Sequence, residues 1–398
     1  MKTLELFRFD QALSVALDAA VPTVRTEYVQ LETALGRRVA SDVLCRKNLP
    51  SFDNSAMDGF AFRYEDAGKT LCIAATVYAG DKPSEMLGEQ ECYRIMTGAK
   101  VPADADTIAP VEDCTDLSAA AVTVPAKIRR GNAFRRKGEE QKMGSVLIRR
   151  GESLDFARIA MLSAQGIMEV EVFSPLKIAV LSTGNEIREP WEEADEDEIY
   201  NANAFGITAL LAQHGFDAVY EGSLADDLEE TIEEIERLKS YDVIMTTGGI
   251  SMGEADFLEE AFVANGLKPL FHGVNVKPGR PTMMGIMGET FVMAMPGNPM
   301  TALLNILLLS IPVLRKLQGA AHPYHTKIKT KISQDLKLKP SRTNLVLGRI
   351  EDGIFQVIRD NKIGSGMLTP LMESNAVAIC SEGVAGLKEG DEVEVVVF

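Results

Sequence analysis

Val243-Ile244-Met245-Thr246-Thr247-Gly248-Gly249-Ile250-Ser251-Met252-Gly253-Glu254-Ala255-Asp256 is the stretch that decides the fold of this 398-residue chain. An apolar run that closes on two glycines reads as a buried strand opening into a turn, where missing side chains let backbone N–H groups approach an anion. The same grammar occurs twice more. Residues 177–182 read as a strand ending in Thr183-Gly184-Asn185-Glu186, and residues 290–294 as a strand ending in Pro296-Gly297-Asn298-Pro299. Asn298 suits a helix N-cap and Pro299 a first helical position, so a helix over 300–318 is expected to open at the same sheet edge. Strands that finish together in glycine-bearing turns place a ligand crevice outside the carboxyl ends of an open parallel sheet.

Working outward, strands at 177–182, 218–222 and 243–246 alternate with helices at 204–214, 228–238 and 257–265. This order demands right-handed crossovers and a parallel sheet. Leu228, Ile232, Ile235 and Leu238 fall on one helical face and the acids on the other. Upstream, 9–19 has helical spacing and 31–43 is mixed, whereas 49–141 breaks into short β-type runs such as 71–78 and 121–124. Helical spacing resumes at 154–165, before a strand at 168–173. Downstream of 325 the pattern alternates: 345–350, a Glu351-Asp352-Gly353 turn, 354–358 and a terminal strand at 393–398 predict a small all-β module.

Composition sets wider bounds. The length exceeds what one hydrophobic core serves, so several domains of roughly 100–150 residues are expected. A net charge of −17, from 41 basic and 58 acidic residues, argues against nucleic acid or an anionic membrane as partner. The run from Glu192 to Glu198 is most simply a solvated acidic loop. Five scattered cysteines with no C-x-x-C pair suit a reduced, cytoplasmic protein. Charge comes too early at the N-terminus for a signal peptide. The most apolar segment, 302–314, is interrupted by Asn305, Ser310 and Pro312 and is too short to span a bilayer.

Chemistry rests on oxygen ligands and anion binding. Asp58, Glu186, Asp226 and Asp256 each adjoin small residues at predicted turns, from which carboxylates can converge on Mg²⁺, an ion content with one or two carboxylates plus water and phosphate. An isolated acid of this kind more often caps a helix. Asp53 and Asp227 are the neighbours to distinguish from ligands. Lys277 and Arg280 flank Pro278-Gly279, a stiff and then permissive pair, and Arg135-Arg136-Lys137 is a second basic cluster whose bland reading is a solvated turn. Such nearby cations outweigh the global sign, because exposed charges are screened beyond roughly 8 Å. Rival motifs fail on spacing. Gly68-Lys69-Thr70 lacks the first P-loop glycine, with Arg63 in its place; His214, His272, His322 and His325 form no zinc pair; Ser182 and Ser251 sit in no nucleophile elbow.

Six segments occur in order: Phe52 to Ala61, Ile95 to Ala99, Leu181 to Glu186, Gly248 to Asp256, Lys277 to Pro281 and Pro296 to Pro299. Together they resemble the MoeA-type molybdopterin molybdenumtransferases, relatives of the C-terminal domain of gephyrin, from about Phe7 to the end of the chain. The resemblance implies an α/β multidomain protein. Its parts would be an elongated, discontinuous N-terminal α+β domain (1–48 plus 142–173), an inserted β-rich domain (49–141), a three-layer α/β molybdopterin-binding domain with a parallel-rich sheet (174–322) and a C-terminal barrel-like β domain (323–398). It further implies a Mg-dependent transferase that inserts molybdenum from molybdate into the dithiolene of adenylylated molybdopterin and releases AMP. Asp58, Thr97, Glu186, Asp226, Asp256, Pro296 and Pro299 would serve activity, with Glu186, Asp226 and Asp256 as metal ligands. Gly248, Gly249, Ser251, Lys277, Arg280, Gly297 and Asn298 would bind the pterin nucleotide. A homodimer with a site lined from both chains, and transfer to molybdoenzyme apoproteins, are implied as well. This chain departs from the family at Glu140, where Asp is usual, at Gly273, often basic, and at 342–349. The rivals are an adenylyltransferase, whose Gly-Gly-Thr-Gly differs from Gly248-Gly249-Ile250-Ser251, and a gephyrin-like scaffold.

Overall fold

The computed structural model describes residues 6–82, 86–224, 227–250 and 257–398. At its centre lies the α/β unit: β1 (Ile178–Thr183), α1 (Ala202–Gln213), β2 (Ala218–Leu224), α2 (Leu228–Arg237), β3 (Val243–Thr247), α3 (Phe257–Ala264), β4 (Leu267–His272), β5 (Met283–Met287), β6 (Thr290–Met295) and the helical run α4 (Pro299–Leu317). The sheet order is β2-β1-β3-β6-β5-β4. β2, β1, β3 and β6 run parallel, while β5 and β4 complete the edge antiparallel.

Two-residue periodicity explains the three layers. Ile178, Val180, Val243, Met245, Phe291 and Met293 enter one core with α1 and α4. Ala179, Leu181, Ile244, Val292 and Ala294 face the other way, onto α2 and α3. The four apolar positions of α2 all pack on that second core, as their spacing predicts. The N-terminal helix Phe9–Ala19 commits Phe9, Ala12, Ala16 and Leu17 to the first core, so it docks on the α/β unit.

The helix α4 outruns the 302–314 segment. It reaches 19 residues, and length and composition alone would let it cross a membrane, contrary to the expectation that it is too short. With 83% of its apolar window buried inside the protein it is a core helix. Its middle, Ile306–Ser310, widens into a π turn just before Pro312, which cannot donate to the preceding turn.

Thr26–Gln30 pairs antiparallel with Glu169–Phe173, and Val43–Leu44 with Val146–Ile148. Between departure and return, a five-stranded sheet forms in the order Thr107–Pro110, Gly59–Phe62, Glu91–Ile95, Thr70–Val77, Ala121–Thr123. At the C-terminal end, Thr343–Glu351, Ile354–Val357, Ile328–Ile332, Glu392–Val397 and Ala376–Cys380 close on themselves as a barrel. Its tight hairpin places Asp352 at φ 50° and Gly353 at φ 76°, the left-handed pair that matches strand twist.

Candidate active site

β1, β3 and β6 end at one edge, and glycines let their turns meet there. Gly248 (φ 87°) lies so close to β1 that a Cβ would stand 2.5 Å from Thr183 Oγ1 and 2.8 Å from its carbonyl oxygen. At Gly297, the Cβ would approach Gly248 Cα to 3.5 Å. The N–H of Gly248 is already spent on Met295 O at 3.1 Å, so it ties strands together and is not the free anion donor its sequence suggests. Gly249 and Gly297 keep N–H groups without a hydrogen-bond partner among the described residues.

Two asparagines absent from the sequence reading lock this edge. Asn203, buried in the first turn of α1, donates from Nδ2 to Thr247 Oγ1 (2.6 Å) and to Gly297 O (2.7 Å), bracing β3 against the turn after β6. Asn201 caps α1 by accepting from Ala204 N–H at 3.1 Å, and its amide reaches Ser182 Oγ (3.0 Å) and Tyr220 Oη (2.8 Å). Tyr220 donates in turn to Glu189, and burial together with that bond pushes its hydroxyl well above the ordinary tyrosine range. The Asn-Ala-Asn ahead of an apolar helix was the available signal.

Glu186 behaves differently from these buried groups. It is exposed, its carboxylate makes no hydrogen bond or ion pair among the described residues, and it folds back over Gly184, where a Cβ would come within 2.8 Å of Oε2. Asn298 occupies the N-cap of α4, yet its side chain caps nothing and stays available; Pro299 takes the first helical position and Pro296 is buried.

Lys277 is exposed on a two-residue strand, Val276–Lys277, that pairs in parallel with Thr343–Asn344 of the barrel. Asn305, buried in α4, pins the following turn by donating to Gly279 O (2.9 Å) and Thr282 Oγ1 (2.6 Å). Gly279 (φ 113°) has no room for a side chain against that amide. Lys277 and Pro278 line a small gap with Met300 and Leu304 of α4, which sets the lysine beside the helix that opens at Asn298. Arg280 is half-buried, with Nε unpartnered.

Asp58 and Thr97 meet as a second constellation. Thr97 donates both its hydroxyl and its N–H to Asp58 Oδ1, each at 2.7 Å. These bonds hold the carboxyl below the usual carboxylate range. The pair belongs to the five-stranded sheet, which shares no strand pairing and no hydrophobic cluster with the α/β unit among the described residues. Asp226, Ser251 and Asp256 lie outside the described residues. Their neighbours prove structural: Asp227 caps α2 through Glu230 N–H (2.9 Å), and Asp53 accepts from Lys137 N–H (2.7 Å). Arg135, Arg136, Lys137 and Glu140 are all exposed, and Gly273 (φ 103°) packs against Leu6.

Residues 7–166 match the MoeA N-terminal region (domain I and II), 179–316 a probable molybdopterin binding domain and 329–398 the MoeA C-terminal region (domain IV). A molybdopterin molybdenumtransferase of Haemophilus influenzae is 31% identical over 403 residues, with 99% of each chain covered. The chain belongs to the MoeA family. Another molybdopterin molybdenumtransferase, from Staphylococcus aureus, is 27% identical over 378 residues, covering 92% of this chain and 90% of that one. The crystal structure of the molybdopterin biosynthesis MoeA protein from Pyrococcus horikoshii OT3 superposes with a TM-score of 0.86 at 29% identity, covering 99% and 100% of the two chains. The barrel and the inserted sheet are thus parts of a MoeA architecture, and the glycine turns at the strand ends fall within residues 179–316, the match to the probable molybdopterin binding domain.

Proposed function

We propose that this MoeA-family chain inserts molybdenum from molybdate into the dithiolene of adenylylated molybdopterin, with hydrolysis of the pyrophosphate linkage and release of AMP. One observation carries the reading. Among the described residues, the crevice joins free backbone donors at Gly249 and Gly297, an uncapped α4 N-terminus and an unpaired carboxylate at Glu186, which is what a phosphate-bearing ligand with a counterion requires. Gly249, Gly297 and Asn298 hold the phosphates, with Gly248 keeping the turns in contact. Lys277 and Arg280 supply the local positive charge that a chain of net charge −17 withholds at long range, and Ser251 adds a hydroxyl donor. Pro296 and Pro299 fix the direction in which α4 opens.

Among the described residues no group of His, Cys, Asp or Glu is large enough to cage a metal by itself. Magnesium asks for less, one or two carboxylates completed by phosphate and water oxygens, and Glu186 fits as such a donor. With Asp226 and Asp256 it would hold Mg²⁺, which supplies charge neutralisation and polarisation of the phosphorus centre.

Asp58 and Thr97 complete the site from the second subunit of a homodimer, since within one chain they stand on a separate sheet. The division at 1–48 plus 142–173, 49–141, 174–322 and 323–398 describes the functional parts, with the Phe9–Ala19 helix anchoring the first part on the third. The five cysteines carry no disulfide, in keeping with a cytoplasmic enzyme that hands its product to molybdoenzyme apoproteins. Incubating the protein with adenylylated molybdopterin, molybdate and Mg²⁺ and following AMP tests the reading: molybdate-dependent AMP release is expected, and its absence, or its persistence after exhaustive chelation, contradicts the enzyme or its metal respectively.

A further inference from the structure

Arg38 and Arg315 both stand at the seam where the N-terminal ladder rests on the end of α4. Phe173 N–H donates to Arg38 O at 2.9 Å, and the Phe173 ring packs on Gly319 just beyond the helix. Ala321 N–H donates to Gly151 O (3.1 Å) and Thr23 N–H to Leu317 O (2.8 Å), closing the seam. Arg38 is half-buried; among the described residues its guanidinium has no hydrogen bond or ion pair, and Nε is sealed from solvent without a partner. Among the described residues Arg315 reaches only the carbonyls of Pro323 and Tyr324, at 3.5 and 3.4 Å.

Among the described residues no carboxylate answers them. Glu152 is committed to Arg158, Asp42 to the N–H of Arg150, and Glu171 to the hydroxyls of Thr26 and Ser41. Arg150 adds a third guanidinium, stacked 5.3 Å over Phe173. On the far side of Arg315, the His214 and His325 rings lie 5.9 Å apart, and His325 Nε2 donates to Leu307 O at 2.6 Å. Burial pulls His325 down to about 4, so it adds no charge at neutral pH. Burial, and after it the charge of Arg315, also pushes Arg38 below the usual arginine range.

Unmatched charge away from water is costly, and guanidinium forks are shaped for oxyanions. We propose that the Arg38–Arg315 seam is a binding site for a small tetrahedral oxyanion of the phosphate class, separate from the crevice and independent of the molybdenum reading.

The test uses the full-length protein with inorganic phosphate as probe, molybdate in a second arm and chloride as control, in a Lys277→Ala background that weakens the crevice. Both oxyanions should raise the melting temperature saturably, because a ligand of the folded state stabilises it by mass action. Adding Arg38→Gln should abolish that rise and leave melting in anion-free buffer unchanged or higher, since the two arginines no longer repel. Arg38→Lys, which keeps the charge without the fork, should retain only part of it. The proposal is overturned if Arg38→Gln keeps the full rise. It is equally overturned if neither oxyanion shifts the parent; a change of sedimentation mass in Arg38→Gln would then assign the seam to a carboxylate of a second copy.

Discussion

The crevice at the strand ends and the Asp58–Thr97 turn are built by opposite means. The crevice takes its shape from the core: glycines pressed against neighbouring backbone, and buried amides at Asn203 and Asn305 that leave little freedom. Asp58 and Thr97 are exposed, and two hydrogen bonds between adjacent loops position the carboxylate. One region has walls and few charges; the other has a preset charge and no walls. On the proposed function each is half of a site, and the following changes either break that contrast or sharpen it.

The largest effect is expected from Glu186, the free carboxylate that the described residues place beside the glycine turns. Glu186→Gln keeps size and hydrogen-bonding capacity, so ligand affinity should hold while turnover falls by roughly 10²–10³-fold. Lys277→Ala should do the reverse, weakening binding in a way that more molybdate partly restores. Steady-state AMP release with separate binding titrations distinguishes them. Lost binding in the first and intact binding in the second would displace the anion from the Lys277–Arg280 turn.

Glycines measure the walls. Both Gly248 (φ 87°) and Gly98 (φ 78°) adopt left-handed backbone, but a Cβ at Gly98 meets nothing within 4 Å whereas one at Gly248 meets Thr183. Gly98→Ala should therefore cost only the conformational penalty, about 1–2 kcal/mol. Gly248→Ala should cost clearly more in denaturant unfolding, and equal losses would mean the turns can part freely. Asn203→Ala should destabilise by about 1–3 kcal/mol, because Gly297 O and Thr247 lose their buried donor.

The smallest effect lies at the exposed pair. Asp58 titrates below its ordinary value, so the Thr97 bonds stabilise the folded protein above about pH 4 and are lost as pH falls through the folded value. Thr97→Ala removes the hydroxyl, the larger cause, and should move the Asp58 titration upward toward the ordinary aspartate range, as carboxyl NMR would record. An unmoved titration would show that the backbone donor alone sets it.

How much of this was legible follows from range in sequence. The parallel strands, their glycine turns and the hairpin at Glu351 to Ile354 are local patterns, and apolar periodicity and turn residues reveal them. β4 and β5 escaped because Pro269 breaks the first with a bulge and Gly285 interrupts the second, at a point where a Cβ would strike Lys268 O at 2.9 Å. The pairing of Val276–Lys277 with Thr343–Asn344 joins segments far apart in sequence that carry no pattern in common. Asn305 looked like an interruption in an apolar helix and Asn203 fell just ahead of one; their value lies in carbonyls supplied by other elements. The N–H of Gly248 was read as free because its acceptor, Met295 O, arrives only with the sheet.

The central claim is that crevice and pair belong to one site made by two chains. Mixed dimers formed from an Asp58→Ala chain and a Glu186→Ala chain test it most directly, since each dimer then holds one doubly damaged and one intact half-pairing. AMP release should return at one site in two, against near-silent homodimers of either variant. Mixed dimers as silent as their parents, once shown to be mixed, would contradict the account and place both residues in the site of a single subunit.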